Sequence, residues 1–412
     1  VRVIAVPIAS RKHDPSTYLK LLHLFKSRLR ELGIEFHQLV LDEKDINLEK
    51  VRGYDLILLL LLTGGTARLA QNLAEKTRRK VVAVAHYGLN SLPSALTLKS
   101  RLRNMCLLLH SNSVDDVAKS LVRICRGLQG LLPCYHDRVL YIGDSVPRKP
   151  PLLERLGIEV VKVKLNEYLD FAREVRSNVD EESTRVFSTR LATFVKLQGI
   201  SGDIVRELYL HYRAITKLLK ERRCGAVTID CFNFIDEFGV TPCVVIALLL
   251  AEGCTALCEG DLTTYIPVKV ATELTGRPGW VCNVCGIRGG LLALAHCTIA
   301  LNLCEDAVLL PHFETGKPIS VGGRLGLGTY TLVRVDEDSS DVYVMKVRGV
   351  ASGVMFSDIC RTQLLCEVPG HDARTVIDEL SGNHHVVVCG DVVEYLKYIT
   401  WFLDARLVEY VE

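Results

Sequence analysis

Arg138-Val139-Leu140-Tyr141-Ile142-Gly143-Asp144 is a short apolar run that closes on a glycine and a carboxylate. Runs of this length, rich in aliphatic and aromatic residues and bounded by turn formers, read as buried strands. A second strand pattern follows at Glu159–Val163, then a helical stretch near 191–219 and a third strand at Ala226–Ile229. Strands separated by helical segments predict βαβ units and hence a parallel sheet. The Pro-rich segment 146–151 is read as the loop after the first of these strands.

The same alternation precedes this stretch. Strand patterns at 3–9, 35–41 and 56–62, with a helix near 16–32, make a first round that ends near Pro133. Beyond about Arg288 the texture changes to Gly-rich, alternating segments at 323–328, 329–335 and 342–347, followed by a helix-like run at 391–402. That spacing predicts a small antiparallel sheet or barrel. The expected fold is therefore α/β, with two doubly wound parallel-sheet domains at 1–135 and 136–287. A smaller antiparallel β-rich domain is expected at 288–412.

A chain of 412 residues exceeds the size of one ordinary core. Lys and Arg total 50 against 48 Asp and Glu, a net charge of +2, which gives no reason to expect a nucleic-acid or anionic-membrane partner. A small polar ligand fits better. The apolar run 56–62 is seven residues, far short of the roughly 20 that a membrane-spanning helix needs. The opening Val1-Arg2-Val3-Ile4-Ala5-Val6 alternates like a strand and lacks the pattern of a secretory leader, so a cytoplasmic location is expected. The 15 cysteines lie singly inside apolar segments and read mostly as small buried hydrophobes. Only 3 methionines and many Glu, Lys and Arg lean toward a thermophile.

Thr255-Ala256-Leu257-Cys258-Glu259-Gly260-Asp261-Leu262 reads as a strand ending in two carboxylates. Open α/β sheets bind ligands outside the carboxyl ends of their strands. On a continuing strand Glu259 and Asp261 would point to one face, where a cation or a proton is needed to neutralise them. The alternative is a turn of solvated acids with a helix cap at Asp261. Asp230, in Val227-Thr228-Ile229-Asp230-Cys231-Phe232-Asn233, ends another strand and is expected either to line the same cleft or to cap a loop.

Histidines stand in Ala295-His296-Cys297, Pro311-His312-Phe313-Glu314 and Gly382-Asn383-His384-His385. Neutral imidazole with oxygen ligands suits a divalent metal of the manganese, iron or cobalt type. Cys282-Asn283-Val284-Cys285 has the spacing of half a zinc knuckle. Cys297 and Cys304 are available to complete it, but a buried or disulfide-bonded pair is the preferred reading. Thr63-Gly64-Gly65-Thr66 follows a strand and precedes a helix, so it reads either as an oxyanion or hydroxyl cradle or as a tight turn.

With these residues in view, the chain resembles the L-fucose isomerase family, in particular its shorter archaeal and bacterial relatives. The stretches that carry the resemblance are Ile229-Asp230-Cys231-Phe232, Thr241-Pro242-Cys243, Cys258-Glu259-Gly260-Asp261-Leu262 and Leu274-Thr275-Gly276-Arg277-Pro278. To these are added Ala295-His296-Cys297, His312-Phe313-Glu314-Thr315-Gly316 and Gly382-Asn383-His384-His385. They lie between about residue 226 and the C-terminus. Upstream only Asn90-Ser91-Leu92-Pro93-Ser94 and the α/β texture match.

The resemblance implies a manganese ion held by Glu259, Asp261 and His384, and aldose–ketose isomerisation through an ene-diol(ate). Glu259 is the candidate base and Asp230 the second acid or orienter. His296, His312, Glu314, Asn383 and His385 are expected to bind the sugar. A homo-oligomer, trimer or hexamer, is implied as well. One departure stands out: near Thr241-Pro242-Cys243 the family carries a further Glu, where this chain has Cys243. Glu237 lies a few residues earlier. A sugar-binding or regulatory protein without catalysis, or a metal-dependent epimerase or carbon–carbon lyase, are the alternative functions.

Overall fold

The computed structural model describes residues 1–145 and 148–411. Two compact units emerge, Val1–Gln129 and Gly130–Glu412. Among the described residues no helix is long and apolar enough to cross a membrane.

In the first unit β1 (Val3–Ile8), β2 (Glu35–Phe36), β3 (Leu56–Leu61), β4 (Val81–Ala85) and β5 (Cys106–His110) form one sheet in the order β2-β1-β3-β4-β5. Every pairing is parallel. β1, β3 and β4 are buried at each position, as their unbroken apolar sequences require of a sheet covered on both faces. The strand expected at 35–41 shortens to two residues. Beyond it the parallel pairing recurs at the single Ile8–Val40 bridge, after which the Asp45 carboxylate accepts from the amides of Leu41 and Asp42.

The second unit opens with β6 (Arg138–Ile142), β7 (Glu159–Val163), β8 (Ala226–Ile229) and β9 (Thr255–Leu257), again all parallel, in the order β7-β6-β8-β9. The order reverses between β6 and β8, and ligand crevices form outside the carboxyl ends of strands at such reversals. The helical stretch expected at 191–219 is two helices, Glu181–Leu191 and Gly202–Arg222. Gly199 at φ +82° interrupts the helical path, and Ser201 restarts it by accepting from the Ile204 amide. Of the Pro-rich loop, 146 and 147 lie outside the described residues, and Pro151 opens the helix Pro151–Arg155, where its missing N–H costs nothing.

β10 (Trp280–Arg288), β11 (Leu291–His296), β14 (Gly328–Val335), β15 (Val342–Gly353), β16 (Thr362–Glu367), β17 (His384–Cys389) and β18 (Leu407–Glu409) build the third sheet. Its order is β14-β17-β10-β11-β16-β15-β18, and an added pairing of β14 with β15 closes the first six into a ring. β15 serves both neighbours by pairing its first part with β14 and its last part with β16. β12 (Cys304–Leu310) and β13 (Ser320–Leu325) form a separate antiparallel ribbon.

β10 begins before the domain boundary expected at 288. Moreover, Val244 and Leu248 from the parallel part, with Trp280, Leu294 and Val387 from the antiparallel part, belong to one apolar cluster. Residues 136–287 and 288–412 therefore share a core rather than each enclosing its own. The helix Cys243–Ala251 sits within it, apolar on every side and buried from Cys243 to Leu250.

Candidate metal centre

β9 stops at Leu257, so Glu259 and Asp261 are not strand residues as expected. Glu259 takes φ 56° and Gly260 φ 68°, two left-handed residues in succession that turn the chain sharply. Three hydrogen bonds hold the turn: Gly260 N to Ile229 O at 2.9 Å, Asp261 N to Cys258 O at 3.0 Å, and Glu259 N to Cys231 Sγ at 3.2 Å. A left-handed non-glycine residue costs on the order of 1–3 kcal/mol and persists where its surroundings impose it. Gly260 has no alternative, since a Cβ there would lie 2.9 Å from the Tyr141 ring.

Asp261 does cap a helix. Its Oδ1 accepts from the Thr263 amide at 2.7 Å and from Thr263 Oγ1 at 2.6 Å, starting the 3₁₀ turn Leu262–Thr264. Its other oxygen, Oδ2, lies 2.8 Å from His384 Nδ1. His384 opens β17, opposite Asn283 of β10, and Asn283 in turn faces Ala295 of β11. This register brings His384 beside His296, the residue that ends β11, with ring centroids 5.4 Å apart.

The turn carries Glu259 to both rings. Its Oε2 is 3.6 Å from His384 Nε2 and its Oε1 is 3.7 Å from His296 Nε2. One ligand atom from each of Glu259, His296 and His384 lies within 4.8 Å of the other two. His384 Nε2 and both nitrogens of His296 are buried with no hydrogen-bond partner. Ligand atoms about 2.1 Å from a common ion stand roughly 3–3.5 Å apart, so the set suits a metal, which would satisfy His384 Nε2 and one of the two His296 nitrogens. The three residues can hold a metal ion. Asp261 stands behind His384 rather than among the ligands, where a carboxylate fixes the tautomer of a ligating imidazole.

The electrostatics agree. Burial pulls the His384 pKa down, but the hydrogen bond to Asp261 and the charges of Glu259 and Asp261 outweigh it and carry the group to about 9. Burial works against ionising Glu259 and Asp261, and in both the adjacent His384 prevails, by its charge beside Glu259 and by its hydrogen bond and charge beside Asp261, and holds the carboxyl below its usual range. His296 is pushed to about 4 by burial and by the neighbouring His384, which keeps the ring neutral with one nitrogen lone pair free. Two carboxylates gathered this closely call for positive charge between them, which a proton or a metal supplies.

The other expected residues lie around or away from this centre. Asp230 follows β8, its backbone neighbours Ile229 and Cys231 bonding to the Glu259-Gly260 turn, and its Oδ2 accepts from Asn233 at 2.7 Å. His312 packs edge-on against Phe232, at 6.3 Å between centroids. Glu314 and Asn383 are exposed. His385, on the next position of β17, turns to Tyr410, whose hydroxyl is 3.1 Å from Nε2. Cys243 is in the core with its thiol pushed far up by burial, and Glu237 is exposed.

Two features carried no usable sequence signal. Arg334, nearly buried, donates to the His384 carbonyl at 2.9 Å and lies over Gly382. Cys360 and His312 draw the Cys297 pKa down against the effect of burial. All 15 cysteines are free, Cys282 facing His385 across β10 and β17. In the first unit the Gly64-Gly65 loop borders a cavity of about 490 Å³ with Ser10, Lys12, Asn90 and Ser94.

No family model matches the chain, and no curated protein matches it. Among solved structures, the apo form of D-lactate dehydrogenase from Escherichia coli aligns over 66% of this chain and 94% of that one. The identity is 12% and the TM-score 0.16, a likeness that carries no argument about fold or function.

Proposed function

We propose that the chain is a metal-dependent aldose–ketose isomerase of the L-fucose isomerase type, acting through an ene-diol(ate). The observation that supports this most is the convergence of Glu259 with the unpartnered nitrogens of His296 and His384 at the carboxyl end of β9. Glu259, His296 and His384 hold the metal in this reading, with Asp261 fixing His384, and manganese is the ion we assign. A bound ion would supply Lewis-acid stabilisation of negative charge on the sugar.

The protein's own groups handle the proton. Glu259 is ionised at neutral pH and is one acceptor for the proton beside the carbonyl. Asp230, one strand away and held by Asn233, is the second. Asp261 has both oxygens committed, to Thr263 and to His384, and serves as an orienter. Cys243 offers no carboxylate where the family carries one, so His296 completes the ligand set in its place.

That substitution also favours a second reading, a sugar-binding protein that has lost turnover. Metal analysis of the purified chain combined with a screen of free, deoxy and phosphorylated aldoses separates the two. Stoichiometric metal with aldose–ketose turnover supports the isomerase. Ligand-induced thermal stabilisation without turnover of any sugar removes the isomerase reading and leaves the binding one.

A further inference from the structure

We propose that Asn283 binds a hydroxyl group of the substrate beside the metal centre and thereby selects a polyhydroxylated ligand. This rests on the reading of Glu259, His296 and His384 as the metal-holding set of a sugar enzyme.

Four adjacent strands build the row in which Asn283 stands. His384 of β17 lies opposite Asn283 of β10, Asn283 opposite Ala295 of β11, and Ala295 opposite Gln363 of β16. Directly opposed residues of antiparallel strands share a face, with Cα atoms roughly 4.5–5.5 Å apart. The Asn283 side chain therefore leaves the sheet next to that of His384, whose Nε2 turns to Glu259.

Asn283 Oδ1 is buried and has no hydrogen-bond partner. An acceptor left in this state costs stability, so its presence calls for a group that satisfies it. The rest of the row has no donor to spare. His384 Nδ1 is taken up with Asp261, and Ala295 brings only a methyl group. Gln363 is an amide on the same face, and it is fully committed. Its Nε2 donates to Phe356 O at 2.7 Å and Cys360 O at 2.9 Å, while its Oε1 accepts from Met355 N and Phe356 N. Ala295, the smallest side chain of the row, keeps the two amides apart. The donor for Asn283 must come from outside the chain.

The chemistry of that donor is restricted. An amide oxygen accepts only from an O–H or N–H group, and the amide nitrogen beside it can donate back to an oxygen. Neighbouring sugar hydroxyls answer both ends. A carboxylate or a fully ionised phosphate has no hydrogen for Oδ1. Glu259 and the two imidazoles serve the reacting end of the sugar, so the hydroxyl read by Asn283 belongs to a carbon further along its chain.

The test compares the manganese-loaded full chain with Asn283→Leu and Asn283→Ala. Sugar recognition is read twice: as kcat/KM on the aldose set, and as calorimetric affinity for ribitol, arabinitol, xylitol and galactitol, each with its monodeoxy analogues. Both variants should lose about tenfold on the best sugar, as removal of one hydrogen bond predicts. On the analogue that lacks the contacted hydroxyl, wild type should already show that loss and the variants should lose nothing more. Manganese affinity should be unchanged. Leu keeps the branched shape of the amide without its polar atoms, so the urea midpoint of Asn283→Leu should hold or rise. An equal loss on every deoxy analogue, no loss on any sugar, or manganese affinity that falls together with sugar recognition overturns the proposal alone. The second of these would leave the amide to an ordered water. A wild-type chain that takes no manganese, or neither binds nor turns over any of these sugars, overturns the reading of the site and this proposal with it.

Discussion

His384 Nδ1 and Asp261 Oδ2 are 2.8 Å apart, and this contact leaves Nε2 as the nitrogen turned toward Glu259 and His296. On the proposed metal reading, Asp261 serves the aim of His384 rather than direct ligation. We predict that His384→Ala and His296→Ala each abolish stoichiometric binding of a divalent metal in a folded protein. Asp261→Asn should weaken it about 10–100-fold. Equilibrium dialysis with metal quantification decides, and equal affinity in Asp261→Asn and wild type would place the carboxylate outside the centre.

Glu259 is asked to do two things, which a single substitution separates by their size. Gln keeps the shape and one ligating oxygen but can no longer accept a proton, so turnover should fall about 10²–10⁴-fold at saturating metal. In deuterated water the proposed isomerase should place solvent deuterium on C1 or C2 of the sugar. Turnover with no deuterium gained would mean a hydride shift. Near-normal turnover in Glu259→Gln would move the base to Asp230.

The legible part of this molecule is the part with a local period. β8 follows the ends read from its apolar run, because a buried strand must be apolar along its own length, and the half-exposed edge strand β7 matches the ends read for it too. The neighbouring acids Glu259 and Asp261 were also visible, but strand alternation put them on one face. Their actual divergence, one facing two rings and one lodged behind His384, comes from two left-handed residues that no pattern of polarity reports. His296 reaches the centre only because β10 pairs with both β11 and β17, a register set by the whole barrel.

Gly382 precedes the site by two residues and is the glycine that the structure can least replace. It sits at φ 74°, and a Cβ added there would fall inside the Arg334 guanidinium. Displacing Arg334 would leave the buried His384 carbonyl without its donor. Gly382→Ala is expected to cost about 2–4 kcal/mol in unfolding free energy, as backbone strain and an unpaired polar group add. Metal affinity should fall as well. Chemical denaturation measures the first, and a loss under 0.5 kcal/mol would show that the guanidinium moves aside freely.

His211 gives a pH dependence remote from the metal ligands. It is 2% exposed, with Nδ1 2.9 Å from the Tyr168 hydroxyl, Nε2 without a partner, and the Phe234 and Phe238 rings 4.9 and 5.0 Å away. Burial depresses its pKa from 6.5 to about 4; Glu207 opposes this and Arg176, paired with Glu207, adds to it. Below pH 6.5 the unfolded chain therefore binds a proton that the folded chain refuses until about pH 4. Stability contributed by neutral His211 is complete above 6.5, declines as the pH falls through this window and levels off below it. His211→Gln cannot titrate and keeps an acceptor for Tyr168. Relative to wild type, the variant should gain about 2 kcal/mol between pH 7 and pH 4.5, even if it is less stable at pH 7. Both tryptophans, Trp280 and Trp401, lie in the same compact unit as His211, so urea unfolding followed by their fluorescence reads the effect directly. Parallel acid curves for the two proteins would mean that His211 is protonated in the fold and that its surroundings are wetter than the packing indicates.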